Sequence, residues 1–345
     1  MKLEIETRIL SQWTQLHCLD TKWYHSIFHE TTLKAIQKTL QKWKKIITYV
    51  NKKGMYGWTQ CESCGNIPQC KHCDIPIAIH ENNHKELFGL CSICQELYSY
   101  PESCGECWSV LVDGFGVGIQ QVSDYCRSFF QQTNITTIQW WQTALSKTAD
   151  QLQAIDSAQI MIATSFFQAP ILQNLWLIVI QTAGNPRSAD YNANKDEFRF
   201  LSDCLRYWAD HIIMQTRDTK STIIRALMEW GEQEFLEKDS VFRMKHNYPP
   251  YGELCIFMYR NEVESAMYSK VHKLFQDIMQ LKLLRQYEDI EVYAIPAHVY
   301  KAYNKFRFQI IIKWEIIRPF VDEIMIRCKP LQKWFKVDRN ARGFM

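Results

Sequence analysis

At 345 residues the chain is long enough for two or three domains, each with its own core. A hydrophobic content of 47% and a charged content of 22% place it among ordinary globular proteins, and a formal charge of +3 excludes an overtly basic nucleic-acid binder, so any basic surface must be local. Residues 1–10 alternate charged and apolar side chains without a signal-peptide core, and the most apolar run, near Leu175 to Ile180, falls far short of the roughly 20 residues of a membrane span. A cytoplasmic location without membrane contact is expected.

In chain order, the spacing of Leu33, Ile36, Leu40 and Trp43 predicts a helix over 32–45. A strand over 46–50 and a polar turn at Asn51-Lys52-Lys53-Gly54 follow. Next come eight of the chain's thirteen cysteines, as Cys61/Cys64, Cys70/Cys73, Cys91/Cys94 and Cys104/Cys107. Nothing marks secretion, so a disulfide framework is not expected. Two residues between cysteines is the spacing at which a tight turn aims both sulfurs at one tetrahedral metal, so two zinc ions are expected.

The intervening chain suggests which pairs share a metal. Ile75 to His80 and Leu87 to Leu90, joined by a polar turn at Glu81 to His84, read as an antiparallel hairpin. A hairpin returns the second and third knuckles to one end, so Cys70 and Cys73 are expected to join Cys91 and Cys94. Cys61, Cys64, Cys104 and Cys107 then close a nested outer site. His72, His80 and His84 are read as surface residues or supports behind the ligands. Cys18, Cys126, Cys204, Cys255 and Cys328 are read as small buried hydrophobes.

Beyond the cysteines, Gly114, Gly116 and Gly118 are read as a strand-to-helix turn rather than a phosphate loop, because the G-x-G-x-x-G spacing is incomplete. A helix over 119–130 follows. Strand-like runs at 135–138, 160–163, 175–180 and 212–215 alternate with helical segments, which indicates a parallel α/β sheet with the zinc module inserted in its first connection. From Tyr248-Pro249-Pro250-Tyr251 onward the order is strand 254–259, helix 263–284, strands 291–295 and 306–313, helix 318–328 and strand 334–337. That βαββαβ order is the ferredoxin-like split arrangement, expected as a separate domain. The expected divisions are 1–57, 58–110 for the zinc module, 111–240 and 241–345.

Taken together the motifs resemble primosomal protein N′, the zinc-containing replication-restart DNA helicase family. The family's strand and N-R-R-G-Y turn are similar to Ile46 to Val50 with Asn51 to Tyr56, and its knuckles to Cys61-Glu62-Ser63-Cys64-Gly65 and Cys70-Lys71-His72-Cys73-Asp74. The following strand and histidine resemble Ile77-Ala78-Ile79-His80. A G-x-G-T-Q-R-V-E turn resembles Gly116 to Ser123, and a Y-P-P-F junction resembles Tyr248 to Tyr251. Near the C-terminus Ile295-Pro296-Ala297, Phe306-Arg307-Phe308-Gln309 and Lys336-Val337-Asp338 look like further family strands. The resemblance covers roughly residues 30 to 340. It implies a RecA-like second helicase lobe with an inserted two-zinc ribbon and a C-terminal domain, and it supports the nested pairing, since family members bind two zincs that way.

The motor residues depart from the family. No glycine in the chain is followed by lysine, so G-x-x-x-x-G-K-[ST] does not occur, and the one Val-Asp-Glu-Ile, Val321 to Ile324, lies in an expected amphipathic helix. The family's I-G-T-Q-M-x-x-K-G corresponds to Ile162 to Pro170, without the lysine. Its D-F-R-A-x-E-R corresponds to Asp190-Tyr191-Asn192-Ala193-Asn194-Lys195-Asp196. The arginine-finger motif aligns with Asp203 to Asp210, placing Tyr207 and Asp210 at the finger positions. An aspartate there would repel a charge that an arginine stabilises by a factor of about a thousand or more. Arg206 is one residue away, about 100° around a helix. The lobe is therefore read as catalytically silent, without the residues that would hold ATP.

The leading expectation is a replication-restart zinc protein that binds forked or single-stranded DNA, restart partners or single-strand-binding protein, without a motor of its own. The alternative is one subunit of a split helicase whose first lobe is another chain. A strip of Tyr300, Lys301, Tyr303, Lys305, Phe306 and Arg307 suits phosphate contact and base stacking, although alternation assigns part of it to a core face. By resemblance, Lys305 and Gln309 match positions that help hold the acidic tail of single-strand-binding protein. Candidate DNA or partner contacts are thus Lys301, Lys305, Arg307 and Gln309. Trp140, Trp141, Trp176, Trp208 and Trp230 are read as core or lobe-packing residues. An uncovered lobe face leads to an expected dimer or lobe-one partner.

Overall fold

The protein is seen in a computed structural model, which describes residues 5–11, 14–22, 26–50, 56–82, 84–110, 112–138, 149–164, 174–184, 190–205, 209–327, 335–339 and 341. The expected turn at 51–54, the segment 165–170, residues 206–208, Trp140, Trp141, Cys328 and Trp334 lie outside those residues. The architecture is mixed α/β, with three sheets of seven, five and four strands.

The seven-stranded sheet holds β1 (Ile5–Ile9), β2 (Gln15–Asp20), β3 (Lys45–Tyr49), β9 (Ile135–Ile138), β10 (Ile160–Ala163), β11 (Leu175–Ile180) and β12 (His211–Thr216), in the order β1-β2-β12-β11-β3-β10-β9. All neighbours are parallel except β1, which runs antiparallel to β2. A parallel sheet must be covered on both faces, which explains the continuous apolar runs such as Ile160-Met161-Ile162-Ala163, buried throughout. Alternation divides β3 between two cores. Ile46 packs with α1 (Glu30–Gln41) and α2 (Ile119–Phe129), whereas Ile47 and Tyr49 face α3 (Ala149–Ser157), α4 (Ala193–Leu205) and α5 (Thr222–Arg225).

Helix α1 starts earlier and stops sooner than its spacing predicts. His29 caps it, its side chain accepting from the Thr31 N–H at 3.1 Å, and Trp43 ends it in the left-handed region at φ 56°. The sequence gives no reason to expect β1 and β2, because β1 is an edge strand with alternating charge and β2 carries a histidine in a short run. Their hairpin extends the sheet past β12, pairing Leu16 with Ile212.

At that extension His17 Nε2 lies 3.4 Å from His211 Nδ1 with the rings stacked at 5.6 Å, and His17 Nδ1 lies 3.0 Å from Thr7 Oγ1. Burial holds both imidazoles below their ordinary value of 6.5. Each ring also lies near cations or the other ring: His211 beside His17, and Lys38 and Lys42 beside His211, opposed by Asp210.

The second sheet comprises β4 (Tyr56–Cys61), β5 (Ala78–Glu81), β6 (Leu87–Leu90), β7 (Leu97–Ser99) and β8 (Val112–Val117), all antiparallel in the order β7-β6-β5-β4-β8. It lies between β3 and α2 in sequence. Gly114 and Gly116 sit inside β8 rather than in a turn, which corrects the expectation for them. A Cβ at Gly114 would lie 2.5 Å from the Tyr56 ring, so glycine is required there by close packing. Only Gly118 stands at the start of α2.

After α5 the chain passes through one π-helical turn (Ala226–Trp230) into α6 (Glu232–Lys245). The four-stranded sheet follows, with β13 (Glu253–Asn261), α7 (Glu264–Leu284), β14 (Glu291–Ala302), β15 (Lys305–Trp314), α8 (Arg318–Arg327) and β16 (Phe335–Asp338). Its order is β14-β15-β13-β16, fully antiparallel, with α7 and α8 against one face. The other face packs Leu254, Ile256 and Ile311 with Ala341 and Tyr191. Arg243 holds the junction. Its guanidinium is buried, pairs with Asp239 at 2.6 Å, and donates to Pro249 O (3.1 Å), Tyr191 O (3.2 Å) and Asn192 Oδ1 (3.0 Å).

Cys18, Cys126, Cys204 and Cys255 are buried, and burial pushes the thiols of Cys18, Cys126 and Cys255 up to about 12. Among the described residues no helix is long and apolar enough to cross a membrane.

Because the folded state favours neutral His17 and His211, the stability they contribute is complete above pH 6.5 and is lost as pH falls below it. The melting temperature is expected to drop between about pH 7 and 5, and less so in a His17→Gln/His211→Gln variant. Thermal denaturation across that range checks this.

Candidate metal centres

Each Cys-x-x-Cys segment folds into the same knuckle. The first cysteine's carbonyl accepts from the fourth residue beyond it: Gly65 N to Cys61 O 2.8 Å, Asp74 N to Cys70 O 2.8 Å, Gln95 N to Cys91 O 3.0 Å, Trp108 N to Cys104 O 2.9 Å. The first cysteine's N–H donates one residue further on, to Asn66, Ile75, Glu96 and Ser109, at 2.8–3.0 Å. The residue after the second cysteine is left-handed every time: Gly65 (φ 75°), Asp74 (48°), Gln95 (61°) and Trp108 (60°). Only the first of these is the glycine that such a turn favours.

The knuckles meet in pairs. The sulfurs of Cys61, Cys64, Cys104 and Cys107 lie within 4.8 Å of one another, and so do those of Cys70, Cys73, Cys91 and Cys94. Cys61 and Cys107 are 3.5 Å apart, Cys64 and Cys104 3.6 Å, and Cys70 and Cys94 3.6 Å. Disulfides need about 2.05 Å, and no disulfide joins these cysteines. Four sulfurs on a tetrahedral zinc at about 2.3 Å stand about 3.8 Å apart, so both donor sets fit the ion closely. The hairpin β5–β6 carries the second and third knuckles to one end, and β4 with β8 carries the first and fourth.

Hydrogen bonds prepare two sulfurs of the outer set, Cys61 and Cys104, and one of the inner set, Cys70, for the anionic state. Backbone N–H groups of Cys107 and Glu106 hold the Cys104 thiol down to about 6. At Cys70 burial pushes up, but the Tyr98 hydroxyl (3.1 Å) and the His72 N–H (3.4 Å) outweigh it and bring the thiol to about 7.

The sets differ in their surroundings. Cys64 and Cys107 are exposed, whereas Cys70, Cys73 and Cys91 are buried beneath the hairpin of β14 and β15. That hairpin turns through Tyr303 (φ 52°) and Asn304 (φ 60°), the two positive φ angles of a tight two-residue turn. Tyr303 N donates to Cys73 Sγ (3.4 Å), Asn304 N to His72 O (2.8 Å) and Tyr303 Oη to Ile93 O (2.8 Å). Ala302 shares an apolar cluster with Cys70, Cys73 and Cys91. Sequence reasoning missed this clasp, although the Tyr303-Asn304 pair between two β runs was its available signal.

The candidate contact residues are spread over different environments. Lys301 donates to Lys71 O (2.9 Å) and pairs with Asp74 (3.3 Å), so it fastens the hairpin to the second knuckle. Lys305 lies 3.7 Å from Glu262. Arg307 is partly buried, its guanidinium lowered by burial and by Arg260, and lies 3.6 Å from Met258 Sδ. Gln309 is buried, and its Oε1 has no hydrogen-bond partner among the described residues. His72 Nδ1 is 3.9 Å from Glu96, and His80 stacks on Phe88 at 5.8 Å. The His84 N–H donates to Asn82 Oδ1 at 2.8 Å, and neither thiol set includes a histidine among the described residues. Trp176 and Trp230 are partly buried against the two cores of the large sheet. Asp210 lies just before β12, its carbonyl accepting from Gln15 N at 2.9 Å.

No family model matches the chain. It is 25% identical over 307 residues to the replication restart protein PriA of Thermotoga maritima, covering 84% of this chain and 39% of that protein. With PriA of Bacillus subtilis it is 22% identical over 247 residues, covering 69% and 30%. With PriA of Synechocystis it is 24% identical over 310 residues, covering 84% and 36%. This chain is similar to one portion of PriA. It spans about two-fifths or less of the length of these PriA relatives. Among solved structures, the de novo designed protein Foldit4 aligns with 25% of this chain and 91% of its own at 20% identity, with a TM-score of 0.20.

The repeated left-handed position yields a paired expectation. Trp108→Gly relieves backbone strain at a side chain 79% exposed and is expected to stabilise the protein by about 1 kcal/mol. Gly65→Ala is expected to destabilise it by a similar amount, about 1 kcal/mol. Denaturant titration of both variants at fixed zinc concentration checks the opposite signs.

Proposed function

We propose that this chain is a zinc protein of the replication-restart type that binds forked or single-stranded DNA and restart partners, single-strand-binding protein among them, and does not hydrolyse ATP. The observation that carries the reading is the pair of complete thiol sets within a PriA-similar α/β chain. Cys61, Cys64, Cys104 and Cys107 hold one zinc, and Cys70, Cys73, Cys91 and Cys94 hold the other. Zinc here supplies a cross-link, neutralising the thiolates and fixing the ribbon as a rigid platform.

In this reading the seven-stranded sheet is a RecA-like second helicase lobe spanning 1–57 and 111–240. The ribbon at 58–110 is its insertion, and the βαββαβ unit at 241–345 is a ferredoxin-like domain. The parallel strand order and the order β14-β15-β13-β16 support those names. Asp210 at an arginine-finger position, and the absence of a Gly-Lys pair from the sequence, support a lobe without hydrolysis. Lys305 and Arg307 remain the partner-facing candidates on β15, with Gln309 behind them and Lys301 committed to the ribbon.

Metal analysis is expected to return two zinc ions per chain, with fork DNA bound in a salt-dependent manner and no DNA-stimulated ATP turnover. ATP turnover by this chain, alone or required of it alongside a lobe-one partner, would overturn the non-motor reading. Absence of zinc from protein purified without chelator would overturn the metal assignment.

A further inference from the structure

Helix α1 covers β3 and β11 and reaches the far end of β12 through Thr32, whose hydroxyl donates to Gln215 at 2.7 Å, but it leaves the His17–His211 side of β2 and β12 open on the same face. The uncovered strip forms a cavity of about 220 Å3. Leu19, Leu177 and Ile213 line it, and His17, His211 and Trp176 wall one side. Lys38 and Lys42 of the α1 end stand at its rim, close enough to His211 to act on its charge.

Around the rim, cations alternate with aromatic rings. Lys42 Nζ lies 4.3 Å from the centroid of the Trp176 ring and Lys44 Nζ lies 5.9 Å from it. Trp43, between those lysines in sequence, is 82% exposed and held at φ 56°. A large indole in a left-handed turn with its ring in water is not demanded by the fold. Neighbouring cations are already engaged, Lys34 with Glu30 and Lys45 with Asp156. Lys44 donates to the neutral Asn174 at 3.2 Å, and Asp210 stands beside His211. The His17–His211 bond uses Nδ1 of His211, leaving its Nε2 without a protein partner among the described residues.

We propose that this cavity and its lysine–tryptophan rim bind single-stranded nucleic acid, with a base entering beside Trp176 and His211 and the phosphates meeting Lys38, Lys42 and Lys44. The assignment rests on the DNA-binding reading above and locates it on a surface away from the C-terminal strip. Interleaved cations and rings match what a strand offers, a phosphate at each step and a π-face on every base. Lys42, now over the Trp176 face, would exchange that contact for a phosphate as the base arrives. The lysine–tryptophan rim of the cavity, at Lys42, Trp176 and His211, lies at the starts of the parallel strands β3, β11 and β12. Open parallel sheets bind nucleotides at the opposite, carboxyl ends, so the two kinds of site would not compete.

The test is fluorescence anisotropy of an oligothymidylate of roughly 20 nucleotides with the full zinc-loaded chain across a salt series. The comparison variants are Lys38→Glu/Lys42→Glu and Trp43→Ala, with Lys273→Glu on α7 as an off-site control, all at exposed positions. The lysine variant is expected to lose at least tenfold in affinity and to flatten the salt slope by about 1.4, for two phosphate contacts at about 0.7 each. Trp43→Ala is expected to weaken binding without changing the slope. Wild-type binding that both variants leave intact would overturn this site while sparing DNA binding in general. No wild-type binding at any salt would overturn both. Displacement of the oligonucleotide by polyglutamate at equal charge would show a general anion surface and overturn the nucleic-acid assignment.

Discussion

Four sulfurs held within 4.8 Å of one another are the constraint on which the ribbon depends. As thiolates they would repel strongly in a partly desolvated site, and as thiols they would give up the backbone hydrogen bonds aimed at an anion. A cation between them resolves both conditions. The ribbon's apolar cluster at the second thiol set is small: beside the cysteines it holds Ile77 and Ala302, with Ile75, Ile93, Tyr98 and Val299 packed against it. A metal held by these sulfurs would therefore make its own binding and the folding of the ribbon one equilibrium.

That equilibrium extends outward through specific contacts. The second thiol set receives the Tyr303 N–H, so the β14–β15 hairpin and the knuckle hold each other in place. On the opposite side Gln120 of α2 bonds both backbone groups of Glu81, at 3.1 and 3.0 Å, and ties the ribbon to the large sheet. Arg243 completes a circuit by joining the chain before the four-stranded sheet to the loop at Tyr191 and Asn192. The C-terminal sheet is thus restrained at two separated points, its hairpin tip and its first connection.

Much of this was legible in the sequence where local chemistry dominates. The Cys-x-x-Cys spacing and the Ile75–Leu90 hairpin pattern suffice to bring the sulfurs into two sets, and apolar runs mark the central parallel strands. What was not legible depends on partners distant in sequence. β2 joins the large sheet because β12, nearly two hundred residues later, offers it a parallel edge. Gly114 reads as a turn until the Tyr56 ring is seen pressed against it. Lys301 reads as a free cation until Asp74 and the Lys71 carbonyl come beside it. Trp176 reads as core, and is half right: one edge packs inward while lysines lie over its face.

The pairing of Tyr56 with Val117 has a consequence for how this chain can vary over time. The two strands that carry the chain out to the ribbon and back, β4 and β8, stand side by side, so the ribbon hangs from the large sheet like a pendant. Lengthening or shortening the pendant would leave the register of the seven strands untouched. The hairpin tip at Tyr303 and Asn304 is what withdraws that freedom, because it measures the distance to the second knuckle. Lineages that kept the tip would be obliged to conserve the size of the inner knuckles, while the outer loops around Cys64 and Cys107 stayed free to drift.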